Sequence, residues 1–300
     1  MSEWTKVGEL AALGTALLWT CSAMAWTSAG RRVGTLPVCF IRLVITCGFL
    51  LAYGRLLRGL WLPSDASSET WRLLSWSGFV GFFLADLCLL KALLLIGPRL
   101  TLLFQTFSPP FAALISKCFV REGLTSRQWL AMAVTLAGVI WVVLERADGP
   151  HGNSRRDTAV GMLLAVLAAV GQAVGLVLSR RGIGQYDAAA ATFIRIIPAL
   201  IGFVVLLTVV RAWPAVTAAT RDRRAMVILT LGALVGPFLG VILSMIAVRH
   251  CHAGVAATIL STMPVLILPM VVVVYRERVS LRAALGAVIS VAGVALLVMH

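Results

Sequence analysis

Residues 36–48 read LPVCFIRLVITCG, and residues 189–201 read AAATFIRIIPALI. Phe40-Ile41-Arg42 in the first stretch returns as Phe193-Ile194-Arg195 in the second, 153 positions later. An arginine inside an apolar run is costly where lipid surrounds it, so the recurring tripeptide is more than apolar filler. Working outward, Gly8 matches Gly161 at the same offset. At an offset of 155, Gly81 matches Gly236, Pro109 matches Pro264, Arg121-Glu122 matches Arg276-Glu277, and Arg127 matches Arg282. Ala137-Gly138-Val139 likewise returns as Ala292-Gly293-Val294. The change of offset falls between Arg42 and Gly81, where a loop absorbs it. Matching over this length marks a duplicated unit. The first repeat is residues 1–145 and the second is 159–300, joined by a polar linker at 146–158.

Composition sets the solvent. Of 300 residues, 60% are hydrophobic and only 13% charged, about half the charge of an ordinary soluble chain. The mean hydropathy is +0.97. So little charge cannot keep a surface of this size in water, and lipid must cover most of it. The runs predict ten spans, at 9–29, 35–54, 72–96, 99–119, 127–144, 159–179, 189–210, 225–248, 254–275 and 282–299. Trp61, Trp71, Trp129 and Trp213 fall near span ends, as interfacial aromatics do. The first run is expected to be a helix of the fold and not a cleaved leader, because Glu3 and Glu9 offset its basic start and the run has a partner in the second repeat.

A formal charge of +14 would point to nucleic acid in a soluble chain. Here the basic residues form small groups between apolar runs, such as Arg31-Arg32, Arg155-Arg156 and Arg180-Arg181. That is the pattern of bilayer anchors, so no nucleic-acid partner is expected. Five spans per repeat is an odd number, so the second repeat enters the bilayer the other way up. The expected fold is therefore all-α, with ten membrane helices in two inverted five-helix repeats. Each half places its basic loops on the same internal side. Inversion then makes the positive-inside signal nearly cancel, and charge alone fixes no orientation.

With these features in place, the chain resembles the drug/metabolite transporter superfamily, in its EamA type with tandem repeats. The carriers are Arg42 and Arg195 early in the second spans, and Ala92 and Ala247 after the polar part of spans three and eight. Pro109 and Pro264, the Arg-Glu pairs that follow them, and the late Gly138 and Gly293 complete the pattern. The resemblance covers nearly the whole chain. It implies both termini in the cytoplasm and a central cavity lined by spans one, three, four, six, eight and nine. It does not name a substrate.

Candidate binding residues follow from polarity at membrane depth. Asp86 lies near the middle of span three, where a carboxylate costs roughly 2.5–3.5 kcal/mol on insertion scales. It needs a wet cavity or a partner, as a substrate or proton site or as an anchor between helices. Repeat two has Val241 in its place, so the fold itself does not require it. Lys91 is five residues further on, a turn of about 140° round a helix, so the two do not share a face. Trp19, Ser22 and Trp26 make a stripe in span one whose repeat partners are Gln172, Gly175 and Ser179. A pocket that is apolar with a few polar contacts suits such a mixture. Gln105 and Ser244 are further polar candidates in spans four and eight. The symmetric Arg42 and Arg195 favour a structural job, bonding helix-end carbonyls or reaching headgroups; the alternative is a gate charge or a contact to an anionic substrate.

No nucleophile motif, phosphate loop or ATP-binding motif is visible, so no cofactor and no enzyme activity is expected. His250-Cys251-His252 lacks the spacing and the further ligands of a zinc site. The expected function is secondary transport, as an exporter of a small metabolite or drug-like molecule by alternating access, with possible proton coupling. The alternatives are a non-transporting scaffold or receptor and a membrane-embedded enzyme. The expected partners are a small-molecule substrate and the lipid bilayer, and the expected form is a multi-pass monomer or weak homodimer of the plasma (inner) membrane.

Overall fold

The computed structural model describes residues 3–108, 110–112, 114–115, 126–144, 155–184, 186–240, 242–243, 263, 266 and 280–298. All regular structure among these residues is helical. In lipid this is required, because a helix satisfies its own backbone. The helices are α1 (Glu3–Val33), α2 (Thr35–Tyr53), α3 (Ser68–Gly78), α4 (Ala85–Gln105), α5 (Ser126–Leu144), α6 (Arg155–Ile183), α7 (Ala188–Val209), α8 (Trp213–Arg221), α9 (Arg223–Ala233) and α10 (Leu281–Val298). By length and composition, six stretches can cross a membrane: Leu10–Val33, Thr35–Arg58, Ser68–Pro98, Arg155–Ile183, Ala188–Val209 and Arg223–Gly240. Trp129–Gly138 and Ala284–Gly293 are shorter apolar helices. The end of the expected fourth span and nearly all of the ninth lie outside the described residues. So do Pro109, Pro264, Ala247, both Arg-Glu pairs and His250-Cys251-His252.

Local chemistry sets the boundaries. Gly97 breaks α4 at φ 77, ψ 167, just before Pro98. A residue before proline is pushed out of the helical region, and proline then starts the next helix without a lost donor. The expected boundary between spans three and four is found there. Ser67 caps α3 by accepting from the Thr70 amide, and Asp222 caps α9 by accepting from the Ala225 amide. These caps are repeat equivalents. Within the spans, Thr15, Thr20 and Thr27 each donate to the carbonyl four residues earlier, which satisfies the hydroxyl without leaving the helix.

Two features were not expected from the sequence. Helix α8, opened by Pro214, lies between the seventh and eighth spans. Spans three and eight also each contain a π-helical turn, Phe79–Leu84 and Leu234–Gly240, at equivalent repeat positions.

Close glycine contacts define the packing. Along α6, Gly161 faces Ile96, Gly171 faces Ala85, Gly175 faces Ser77 and Gly81, and Gly182 faces Leu73. Residue numbers rise on one side and fall on the other, so α6 runs antiparallel to span three. Along α1, Gly14 faces Leu243, Trp19 faces Gly240, Ser22 faces Gly236, and Trp26 faces Gly232. Helix α1 thus runs antiparallel to span eight. Gly138 approaches the Ser290 backbone on α10, and Gly293 approaches the Thr135 backbone on α5. Small residues permit such backbone proximity where no hydrophobic force drives helices together. The core between these crossings holds Val38, Leu93, Ile196, Phe203, Leu207 and Leu229, all nearly or fully enclosed.

Candidate functional site

Asp86 follows the π turn of span three and is only 4% exposed, as is Arg42. The Arg42 Nη2 donates to Asp86 Oδ2 in a buried ion pair. From α6, Gln172 Nε2 donates to Asp86 Oδ1 at 3.1 Å, and lies 3.4 Å from the Gly81 carbonyl in a weaker contact. Both carboxylate oxygens are therefore engaged. Breaking a buried pair by removing one partner costs about 3–5 kcal/mol, so these three side chains bind α2, span three and α6 into one unit.

Two aromatic rings complete the cluster. The Arg42 guanidinium lies 4.4 Å from the centre of the Trp26 ring, and that of Arg195 lies 4.2 Å from the centre of the Phe82 ring. A desolvated contact of this kind contributes about 2 kcal/mol. An Arg195 Nη2 atom sits 3.4 Å from where a side chain on Gly81 would begin, so the bare Gly81 gives the guanidinium its place. Four buried donors have no hydrogen-bond partner among the described residues: Trp26 Nε1, Arg42 Nε, Arg195 Nε and Gln105 Nε2. Buried donors are nearly always satisfied, so the three on Trp26, Arg42 and Arg195 set this cluster apart, while Gln105 stands elsewhere, at the end of α4.

The remaining candidates lie elsewhere. Ser22 is buried, and its hydroxyl donates to the Gly232 carbonyl at 2.6 Å in the crossing of α1 with α9. Trp19 is 43% exposed and packs along Gly240. Lys91 is exposed and lines an open cavity of about 510 Å³ with Gly34, Pro37, Cys88 and Ala215, a cavity that Asp86 does not line. Gln105 is partly buried beside Thr106, whose hydroxyl shares a 2.8 Å hydrogen bond with Ser290. Ser244 lies outside the described residues. The structure thus gathers Trp26, Asp86 and Gln172 and separates them from Lys91, Trp19 and the committed hydroxyl of Ser22. It also corrects the expectation for the two arginines. Arg42 bonds a carboxylate and not a helix-end carbonyl, and Arg195 packs on Phe82. The tripeptide repeat had already flagged both residues. Neither partner could be read from it, because the rotation of span three decides them.

Comparison with known proteins now adds the family. The model of the EamA-like transporter family matches residues 6–144 and again 159–299. No curated protein matches the chain. One solved chain, described as the crystal structure of a protein, aligns over 97% of this chain and 96% of its own length, with TM-score 0.58 and 20% identity. At that identity the likeness shows the fold alone. The double match spans almost every residue, so the chain is an integral, multi-pass membrane protein that belongs to the EamA-like transporter family.

Proposed function

We propose that the chain is a secondary transporter that exports a small molecule by alternating access, built from two inverted repeats of five spans each. The observation that carries this reading is the exchange of contacts between repeats. The crossing of α1 with span eight and that of α6 with span three pair the same repeat positions, and both run antiparallel. The crossing of α5 with α10 is its own counterpart, Gly138 on Ser290 and Gly293 on Thr135. Two halves that can trade conformations give matching inward-open and outward-open states.

Substrate binds near the midplane, among Trp26, Asp86 and Gln172. Asp86 is the one carboxylate among the described residues set deep within a span, and it is the group through which a proton couples to transport. The termini face the cytoplasm and the protein sits in the plasma membrane.

The test is flux in proteoliposomes loaded with a metabolite pool under a pH gradient, read by mass spectrometry against empty liposomes. Gradient-dependent movement of one chemical class supports transport. Asp86→Asn is expected to remove the pH dependence while leaving folded protein in the membrane. If folded wild-type protein moves nothing with or without the gradient, the scaffold reading replaces this one.

A further inference from the structure

We infer that the transported molecule is a small organic anion with net charge −1, and that Arg195 is the residue that receives its acidic group. The inference rests on the transporter reading and names its substrate class.

Charge comes first. Arg42, Arg195 and Asp86 meet in one buried cluster, linked through Gln172 and Gly81. Two guanidinium groups stay charged under all physiological conditions, and one carboxylate offsets only one of them. Among the described residues the cluster is left with one excess positive charge in the apolar part of the chain. Charges at membrane depth are expensive and mark substrate paths or paired sites. Arg42 has its carboxylate. Among the described residues Arg195 donates a hydrogen bond to no carboxylate: it lies on the face of Phe82 and feels Asp86 only through space.

Hydrogen bonding points the same way. Among the described residues every unpartnered buried side-chain polar atom is a donor: the Nε atoms of Arg42 and Arg195 and Trp26 Nε1 in the cluster, and Gln105 Nε2 at the end of α4. A ligand that satisfies donors must bring acceptors. A guanidinium fork matches a carboxylate or phosphate group in shape as well as in charge.

The same geometry disfavours the other classes. A cation or zwitterion needs a free carboxylate for its ammonium group, and both Asp86 oxygens are already engaged by Arg42 and Gln172. The rings of Trp26 and Phe82 flank the arginines and suit an apolar or aromatic body on the ligand.

Two readouts on the full-length purified protein test the inference. The first is flux from proteoliposomes loaded with four classes of probe at equal concentration. These are monoanions (4-hydroxybenzoate, shikimate, lactate), cations (tyramine, putrescine), zwitterions (phenylalanine, serine) and neutral compounds (glucose, uridine). The second is the thermal midpoint in detergent with each probe, since a ligand that binds only the folded state raises it. Monoanions are expected to move and to raise the midpoint. Arg195→Gln is expected to raise KM for the monoanion by about tenfold or more, and Arg195→Lys to restore part of the affinity, because it keeps the charge and loses the fork. Arg195→Lys also guards against a folding defect in the glutamine variant. Flux and stabilisation by cations or zwitterions with none by monoanions would overturn the anion inference and leave transport standing. So would monoanion transport with unchanged KM in a folded Arg195→Gln protein, as regards Arg195. Stabilisation by monoanions without flux of any class would keep the anion site and overturn the transporter reading. No response to any class in either readout would overturn both.

Discussion

Ser22 and Ser77 make the same hydrogen bond from opposite sides of two equivalent helix crossings. Ser22 on α1 donates to the Gly232 carbonyl on α9, and Ser77 on α3 donates to the Gly175 carbonyl on α6, each at 2.6 Å. Ser22 and Gly175 are repeat equivalents, as are Ser77 and Gly232. Each crossing thus pairs one serine with one glycine, and the repeats have swapped which helix carries which. Ser22→Ala and Ser77→Ala are each expected to cost about 0.5–1 kcal/mol, because the accepting carbonyls keep other bonds. The sites are on separate crossings, so the double variant should lose the sum within about 0.5 kcal/mol. Unfolding in mixed micelles with increasing denaturant measures all three.

The Arg42–Asp86 pair calls for a double-mutant cycle. Asp86→Asn leaves both arginines of the cluster without a carboxylate and is expected to destabilise by about 3–5 kcal/mol, whereas Arg42→Gln leaves Asp86 with Gln172 and the charge of Arg195 and should cost less. The double variant leaves Arg195 as the one charge of the three and should lose less than the sum of the two single losses. Additive losses would mean that the two side chains do not depend on each other.

The inverted arrangement is tested by labelling. The α1–α2 turn at Gly34 and the α6–α7 turn at Gly184 are equivalent loops in the two repeats. A cysteine-free protein with Thr35→Cys should react with a membrane-impermeant maleimide from one face of the bilayer. Gly184→Cys should react only from the other. Labelling of both from one face would exclude inversion.

Loop contacts give a pH dependence. The Tyr186 hydroxyl donates to Asp65 Oδ1 at 2.6 Å, and Arg58 donates to Oδ2 at 2.6 Å. The tyrosine hydrogen bond, with a further contribution from Arg58, holds the Asp65 carboxyl below its ordinary value of 3.8. A carboxyl with a lowered folded pKa stabilises fully above its unfolded value, and that contribution fades as pH falls through the folded one. The difference in melting temperature between wild type and Asp65→Asn should therefore be flat from about pH 7 to about pH 5 and shrink below about pH 4. Tryptophan fluorescence melts across that range measure it.

The parts legible in the sequence are those set locally. The apolar runs, the Gly97-Pro98 break and the repeat of Phe40-Ile41-Arg42 each depend on residues close together in the chain. Gly138 and Gly293 were also readable as close approaches, because a small residue late in an apolar helix has few other uses. The pairing of Asp86 with Arg42 was not readable. It depends on which way span three faces after a π turn, and a uniform helical wheel carries the phase wrongly past that point. Ser22 shows the reverse case. Its place on an aromatic and hydroxyl stripe looked like a pocket face, yet its partner is a carbonyl 210 residues away. Helix α8 is short and mixed in polarity, so no apolar periodicity announced it.

The π turns at Phe79–Leu84 and Leu234–Gly240 store slack in the winding of spans three and eight. A π turn holds one residue more than an α turn. If it tightens to α, everything beyond it swings by about 100° around the helix axis. The first residue to swing decides the outcome, and in span eight the turn itself, Leu234–Gly240, carries no charge. In span three the first residue to swing is Ala85, and then Asp86 is carried away from Arg42. Only one of the two springs is loaded with charge, so rewinding the first repeat would release an arginine, whereas rewinding the second would not.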